Sequence, residues 1–126
     1  MPFPSIFPAN CPPDDALDAD ILVYRTVSND PPQEDDFRND VEMGKTKANR
    51  KPKCHNPGIS MLRSREDAMH HRSVFGWAAQ HIAVGRLMPQ HGKVKDSPVK
   101  DLPSHVDWWC YDGIERSKVF KVVEGT

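Results

Sequence analysis

ILVYRTV, residues 21–27, decides the fold class. It is rich in β-branched and aromatic side chains and is bounded by Asp20 on one side and by Ser28-Asn29-Asp30-Pro31-Pro32 on the other. Alternation places Ile21, Val23, Arg25 and Val27 on one face and Leu22, Tyr24 and Thr26 on the other, so both faces need cover, as in a central strand. Arg25 breaks the pattern. A charge in the middle of an apolar strand is costly unless it is paired or reaches solvent. Two outcomes are therefore expected for it: a salt bridge to an acid in 34–42, or a bidentate grip on the phosphate or carboxylate of a ligand.

On the N-terminal side of that strand, residues 1–20 carry five prolines with Phe3, Ile6 and Phe7 among them, which reads as an extended arm packed on the domain. On the C-terminal side, 31–44 opens with proline and acids and predicts a short helix of one or two turns with Phe37, Val41 and Met43 inward. KTKANRKPK, 45–53, is basic and poor in apolar residues and reads as a solvent loop. GISML, 58–62, enters a short strand through Asn56-Pro57-Gly58. A helix follows. Ser64 and Asp67 have capping-box spacing, Glu66 and Asp67 suit the positive end of the helix dipole, and Ala68, His71, Phe75 and Ala78 fall on one face until Gly76 loosens the turn. HIAVGRLMP, 81–89, alternates as a strand, 91–104 reads as loop with one short pairing at Val94, and HVDWWCY (105–111) and SKVFKVVE (117–124) close the chain through Asp112-Gly113.

This order predicts an α+β fold: a single, mostly antiparallel sheet with one principal helix and an extended proline-rich N-terminal arm. The expected organisation is an arm over 1–20 and one α+β domain over 21–126, the size of domain that 126 residues support. The formal net charge of −1 offers no broad basic field, so nucleic acid is not expected as a partner. MPFPSIFP lacks a basic region and a continuous apolar run, and no stretch is apolar for long enough to span a bilayer; a cytoplasmic protein without a membrane anchor is expected. Cys11, Cys54 and Cys110 are odd in number and widely spaced, and read as buried free thiols. The six histidines include the adjacent pair His70-His71, but no spacing suits a chelate, so no metal site is expected.

The remaining chemistry gathers on few residues. In a strand over 105–111, His105, Asp107, Trp109 and Tyr111 share one face and Val106, Trp108 and Cys110 the other. The first face, polar and aromatic together, is either the wall of a pocket or a wet outer surface, and the second is assigned to the core. Arg25, Ser60 and His105 are the candidate catalytic residues; Tyr24, Arg25, Asp107, Trp109 and Tyr111 are the candidates for contact with a ligand or partner.

Taken in order, CPPDDA (11–16), VYRTV (23–27), DDF (35–37), GISML (58–62), Ser-Arg-Glu-Asp-Ala (64–68), His91-Gly92 and SHVDWW (104–109) resemble the motif order of a family of small uncharacterised bacterial proteins. That resemblance brings no mechanism with it. The succession of VYRTV, GISML and the Ser64 helix is also similar to ADP-ribosyltransferase-like and RES-type toxin domains, which implies NAD as cofactor; the Gly-Arg-Trp signature of RES domains is absent, and Glu66 and Glu124 are the candidates for a catalytic acid. Two functions are thus expected. One is a protein-binding module of immunity, antitoxin or defence type, whose aromatic strand and arm engage a protein partner. The other is an NAD- or nucleotide-handling enzyme with Arg25, Ser60 and His105 in one cleft, which would take a small nucleotide ligand.

Overall fold

The computed structural model describes residues 2–5, 7–44, 53–54, 57–76 and 80–123. The basic loop at 45–53, apart from Lys53, lies outside them, as do Ile6, Ala78 and Glu124. Seven strands and one helix are present among the described residues: β1 (Leu17–Asp18), β2 (Ile21–Val27), β3 (Ile59–Leu62), α1 (Arg65–Phe75), β4 (His81–Leu87), β5 (Gly92–Asp96), β6 (His105–Cys110) and β7 (Phe120–Val122). All pairings are antiparallel, and the strands form one sheet in the order β1-β5-β6-β3-β2-β4-β7. The α+β plan holds, with ILVYRTV well inside the sheet.

One face of that sheet carries Val23, Val27, Met61, Ala83, Leu87, Val106 and Trp108, all buried, and Phe37 closes over it from a 3-10 turn at Glu34–Phe37 with its ring 4.6 Å from that of Phe120. The other face is covered by α1, whose Ala68 packs with Leu62 and Ile82 against Tyr24 and Leu102. The helix begins as its sequence requires, with Ser64 Oγ accepting from the Asp67 backbone N–H at 3.0 Å. The Asp67 carboxylate does not return to Ser64. It accepts instead from Ser104 N and Ser104 Oγ at 2.9 and 2.6 Å, which ties the start of α1 to the residue before β6.

Several expectations change. Residues 91–104 give more than a pairing at Val94: β5 runs from Gly92 to Asp96 between β1 and β6. Gly92 makes this possible, since its φ of 135° and its backbone against the Trp109 carbonyl leave no room for a Cβ. The helix expected over 31–44 is only the 3-10 turn and a following bend, and the strand expected over 117–124 is reduced to Phe120–Val122 after another 3-10 turn. Cys11 and Cys54 are not free thiols but a disulfide, with Cα atoms 5.4 Å apart and a sequence separation of 43. Cys110 alone is the buried thiol, and burial pushes its pKa up to about 11, which leaves it unreactive as a thiolate.

Candidate functional site

The site arises where β2 and β3 part. These strands share a single register pair, Tyr24 with Leu62, while β2 stays paired with β4 along its whole length. Beyond Tyr24 the ladder is replaced by a side chain. Arg25 Nη1 donates to the Ser60 carbonyl at 2.7 Å, and Nε donates to the Asp36 carbonyl at 2.7 Å. The salt bridge expected for Arg25 is therefore corrected: the Asp36 carboxylate is engaged by Ser28 N, Asn29 Nδ2 and Gln33 N, and only its backbone oxygen meets the guanidinium. Burial draws the Arg25 pKa down to about 10, partly opposed by the charges of Asp36 and Asp40, so the group is cationic at neutral pH. Arg25 makes no ion pair among the described residues.

Around this guanidinium lies a cleft of two adjoining lobes, of about 240 and 220 Å³, and Arg25, Ser60, Val99 and His105 line both. The helix-side lobe adds Tyr24, Thr26, Leu62, His71 and Leu102. The other lobe adds Arg38, Asn39, Asp40, Met43, Gly58 and Asp107, with Ser97 beside His105. The three candidate catalytic residues thus converge, although they come from β2, β3 and β6.

His105 is fixed by its neighbours. Its backbone N–H donates to the Leu102 carbonyl, its carbonyl accepts from Ser97 N, and its Nδ1 lies 3.0 Å from the Ser97 carbonyl and 2.9 Å from Ser97 Oγ. A carbonyl oxygen only accepts, so Nδ1 carries the proton and Nε2 is the basic nitrogen of the neutral ring. The Asp67–Ser104 bonds hold the residue just before it. His105 can therefore accept a proton from, or return one to, a ligand seated in the cleft. Ser60 is exposed in the cleft, but its hydroxyl makes no hydrogen bond among the described residues, so no serine–histidine pair is built there.

The face assigned to His105, Asp107, Trp109 and Tyr111 separates. Trp109 is only 2% exposed, and its indole N–H donates to the Cys54 carbonyl at 2.9 Å; the disulfide-held segment covers it. Tyr111 lies past the end of β6 with its ring 4.8 Å from that of Phe3, away from Arg25. Asp107 is buried opposite Ser60 in the register of β6 and β3. Val106, Trp108 and Cys110 occupy the core, as assigned.

Among the cleft residues not singled out from the sequence are His71 and Asn39. His71 stands on the inward stripe of α1, a signal that was legible, and its Nδ1 lies 3.0 Å from Thr26 Oγ1. Asn39 is 2% exposed, and its Oδ1 accepts from Glu42 N while Nδ2 has no partner among the described residues. Nothing in the sequence pattern distinguishes that asparagine. Among the described residues no group of three His, Cys, Asp or Glu side chains is arranged to hold a metal ion, and no helix is long and apolar enough to cross a membrane.

Burial is the main cause that lowers the His71 pKa, and repulsion from the nearby Arg25 guanidinium adds to it. Because the folded-state pKa lies below the unfolded value of about 6.5, the unfolded chain binds the proton more readily. This contribution to stability is present above pH 6.5 and is lost as the pH falls through the folded value. His71→Gln is expected to flatten the loss of stability between pH 7.5 and 5.5, measured as urea midpoints; a slope equal to that of the parent protein would count against the assignment. His91, lowered by burial, contributes with the same sign and remains in the variant.

The fold and site together define a small α+β domain with a cleft built around Arg25. No family model, no curated protein and no solved structure matches the chain.

Proposed function

We propose that the protein binds a small anionic ligand of the nucleotide class in this cleft, with Arg25 as the anion anchor and His105 as the proton-handling group. The observation that carries this reading is the convergence of an arginine that lacks a carboxylate partner with His105 and Ser60 in one concavity. Guanidinium groups suit phosphate and carboxylate, and a cleft lined by apolar walls with a few convergent polar groups is the usual form of a small-molecule site. Support for a protein-binding module is weaker, because the aromatic anchors it relied on are not presented: Trp109 is buried and Tyr111 is packed against Phe3. Turnover would be acid–base chemistry at His105 Nε2 on a ligand oriented by Arg25, with NAD among the substrates to be screened.

A thermal-shift screen against NAD, mononucleotides, inorganic phosphate and divalent metals tests the reading. A ligand at a hundred times its dissociation constant adds about 2.7 kcal/mol of stability. The expected result is stabilisation by phosphate-bearing ligands that Arg25→Lys reduces and Arg25→Gln abolishes, with His105→Gln retaining binding. An absence of stabilisation by every anion would sink the proposal.

A further inference from the structure

A third hollow continues the helix-side lobe outward. It has a volume of about 330 Å³ and lies between the C-terminal half of α1 and the turn at 99–102, sharing His71, Val99 and Leu102 with the cleft. Its walls are apolar and open. Val74, Phe75 and Val99 are 51%, 46% and 48% exposed, so three large apolar side chains stand half in water at one place, where an isolated exposed residue would call for no explanation. His71 and Phe75, four residues apart on the helix, bring their ring centroids to 4.9 Å at an interplanar angle of 39°. The Thr26 hydroxyl contacts the His71 ring. The opposite wall is also set: Val99 and Leu102 exchange backbone hydrogen bonds at 3.1 and 3.3 Å across the Lys100-Asp101 turn.

We infer that the cleft's ligand carries a planar aromatic group, a nucleobase in the nucleotide reading, which lies in this groove against Phe75 while its anionic end reaches Arg25. The inference rests on the anionic-ligand reading and extends it to the other half of the ligand. Charge and continuity select this occupant. The cation stands in the inner lobe, the apolar surface lies in the outer one, and the two are joined through residues common to both. A flat ring is favoured over an alkyl chain because the histidine–phenylalanine pair is already assembled, so a ring joining it adds a stacking surface without ordering further side chains.

The test is calorimetric titration of the full chain with AMP, ribose 5-phosphate, phenyl phosphate, hexyl phosphate and inorganic phosphate. AMP is expected to bind about tenfold more tightly than ribose 5-phosphate, and phenyl phosphate to exceed inorganic phosphate by a similar ratio. Phe75→Ser, at a residue nearly half exposed, is expected to bring both ratios close to one and to leave inorganic phosphate binding unchanged; Val74→Ser serves as a second variant of the same wall. Equal binding of AMP and ribose 5-phosphate would overturn the inference, as would ratios that survive Phe75→Ser, while the anionic-ligand reading would stand. Hexyl phosphate matching phenyl phosphate would overturn the aromatic ring in particular. Binding of none of the five would instead overturn the anionic-ligand reading itself.

Discussion

Trp108→Ala is expected to cost about 3–5 kcal/mol of folding stability, the range for truncating a fully buried large aromatic residue. Trp108 has no solvent exposure and sits in β6 with Ile59 of β3 and Val94 of β5 as its register partners. Its ring lies 6.1 Å from that of Phe120, and its indole N–H donates to the His91 carbonyl at 3.1 Å. Truncation removes packing from three strands at once and takes one of two donors from that carbonyl, which also accepts from Tyr111 N at 3.2 Å. A domain of this size has about 5–15 kcal/mol in total, so the variant approaches the limit of folding. Trp108→Phe keeps most of the ring and loses chiefly the hydrogen bond, and about 1–3 kcal/mol is expected for it. Urea unfolding of both variants checks the assignment. A Trp108→Ala cost below about 1 kcal/mol would mean that this residue does not fill the core.

Adjacent tryptophans, both buried but on opposite faces of the sheet, show what the sequence could convey. Strand alternation separates Trp108 from Trp109 whichever way the sheet faces, and it assigned Val106, Trp108 and Cys110 correctly to the core. The same alternation marked Trp109 as outward. It could not see that a segment more than fifty residues earlier in the chain, held by the disulfide, lies over that position and accepts its N–H. Cover of a sheet face by irregular chain leaves no periodic trace. For the same reason β5 was read as no more than one short pairing at Val94 within a loop: Gly92-Lys93-Val94-Lys95-Asp96 looks polar, and its register partners on β6 and β1 are distant in sequence.

The cleft was legible in its members and not in its construction. Arg25, Ser60 and His105 stood out because each is polar within or beside an apolar run. That they meet depends on β2 and β3 separating after one register pair, a property of strand twist and of the Asp36 turn that local pattern does not encode. Arg25 illustrates the limit most clearly: acids at 34–42 suggested a salt bridge, yet the Asp36 carboxylate is taken up within its own turn and offers the arginine only a backbone oxygen.

The Cys11–Cys54 bond should contribute about 2–4 kcal/mol, because closing a loop of this length restricts the unfolded chain. Cys11→Ser with Cys54→Ser, or reduction of the parent protein, should lower the melting temperature on the order of 10 °C for a domain of this size. The two treatments should agree, since Cys110 takes no part. Thiol titration of the unfolded, unreduced protein should find one free thiol, that of Cys110. Three would mean that the bond had not formed in that sample. A second consequence follows from the sheet. Loss of the bond frees Cys54, whose carbonyl accepts from Trp109 Nε1 and which precedes Gly58 on the cleft wall by four residues. Reduction should therefore increase water access to Trp109 and red-shift its fluorescence before global unfolding, while Trp108, bonded to His91, stays buried. Equal melting temperatures for the oxidised and reduced protein would show that the clip contributes nothing to stability.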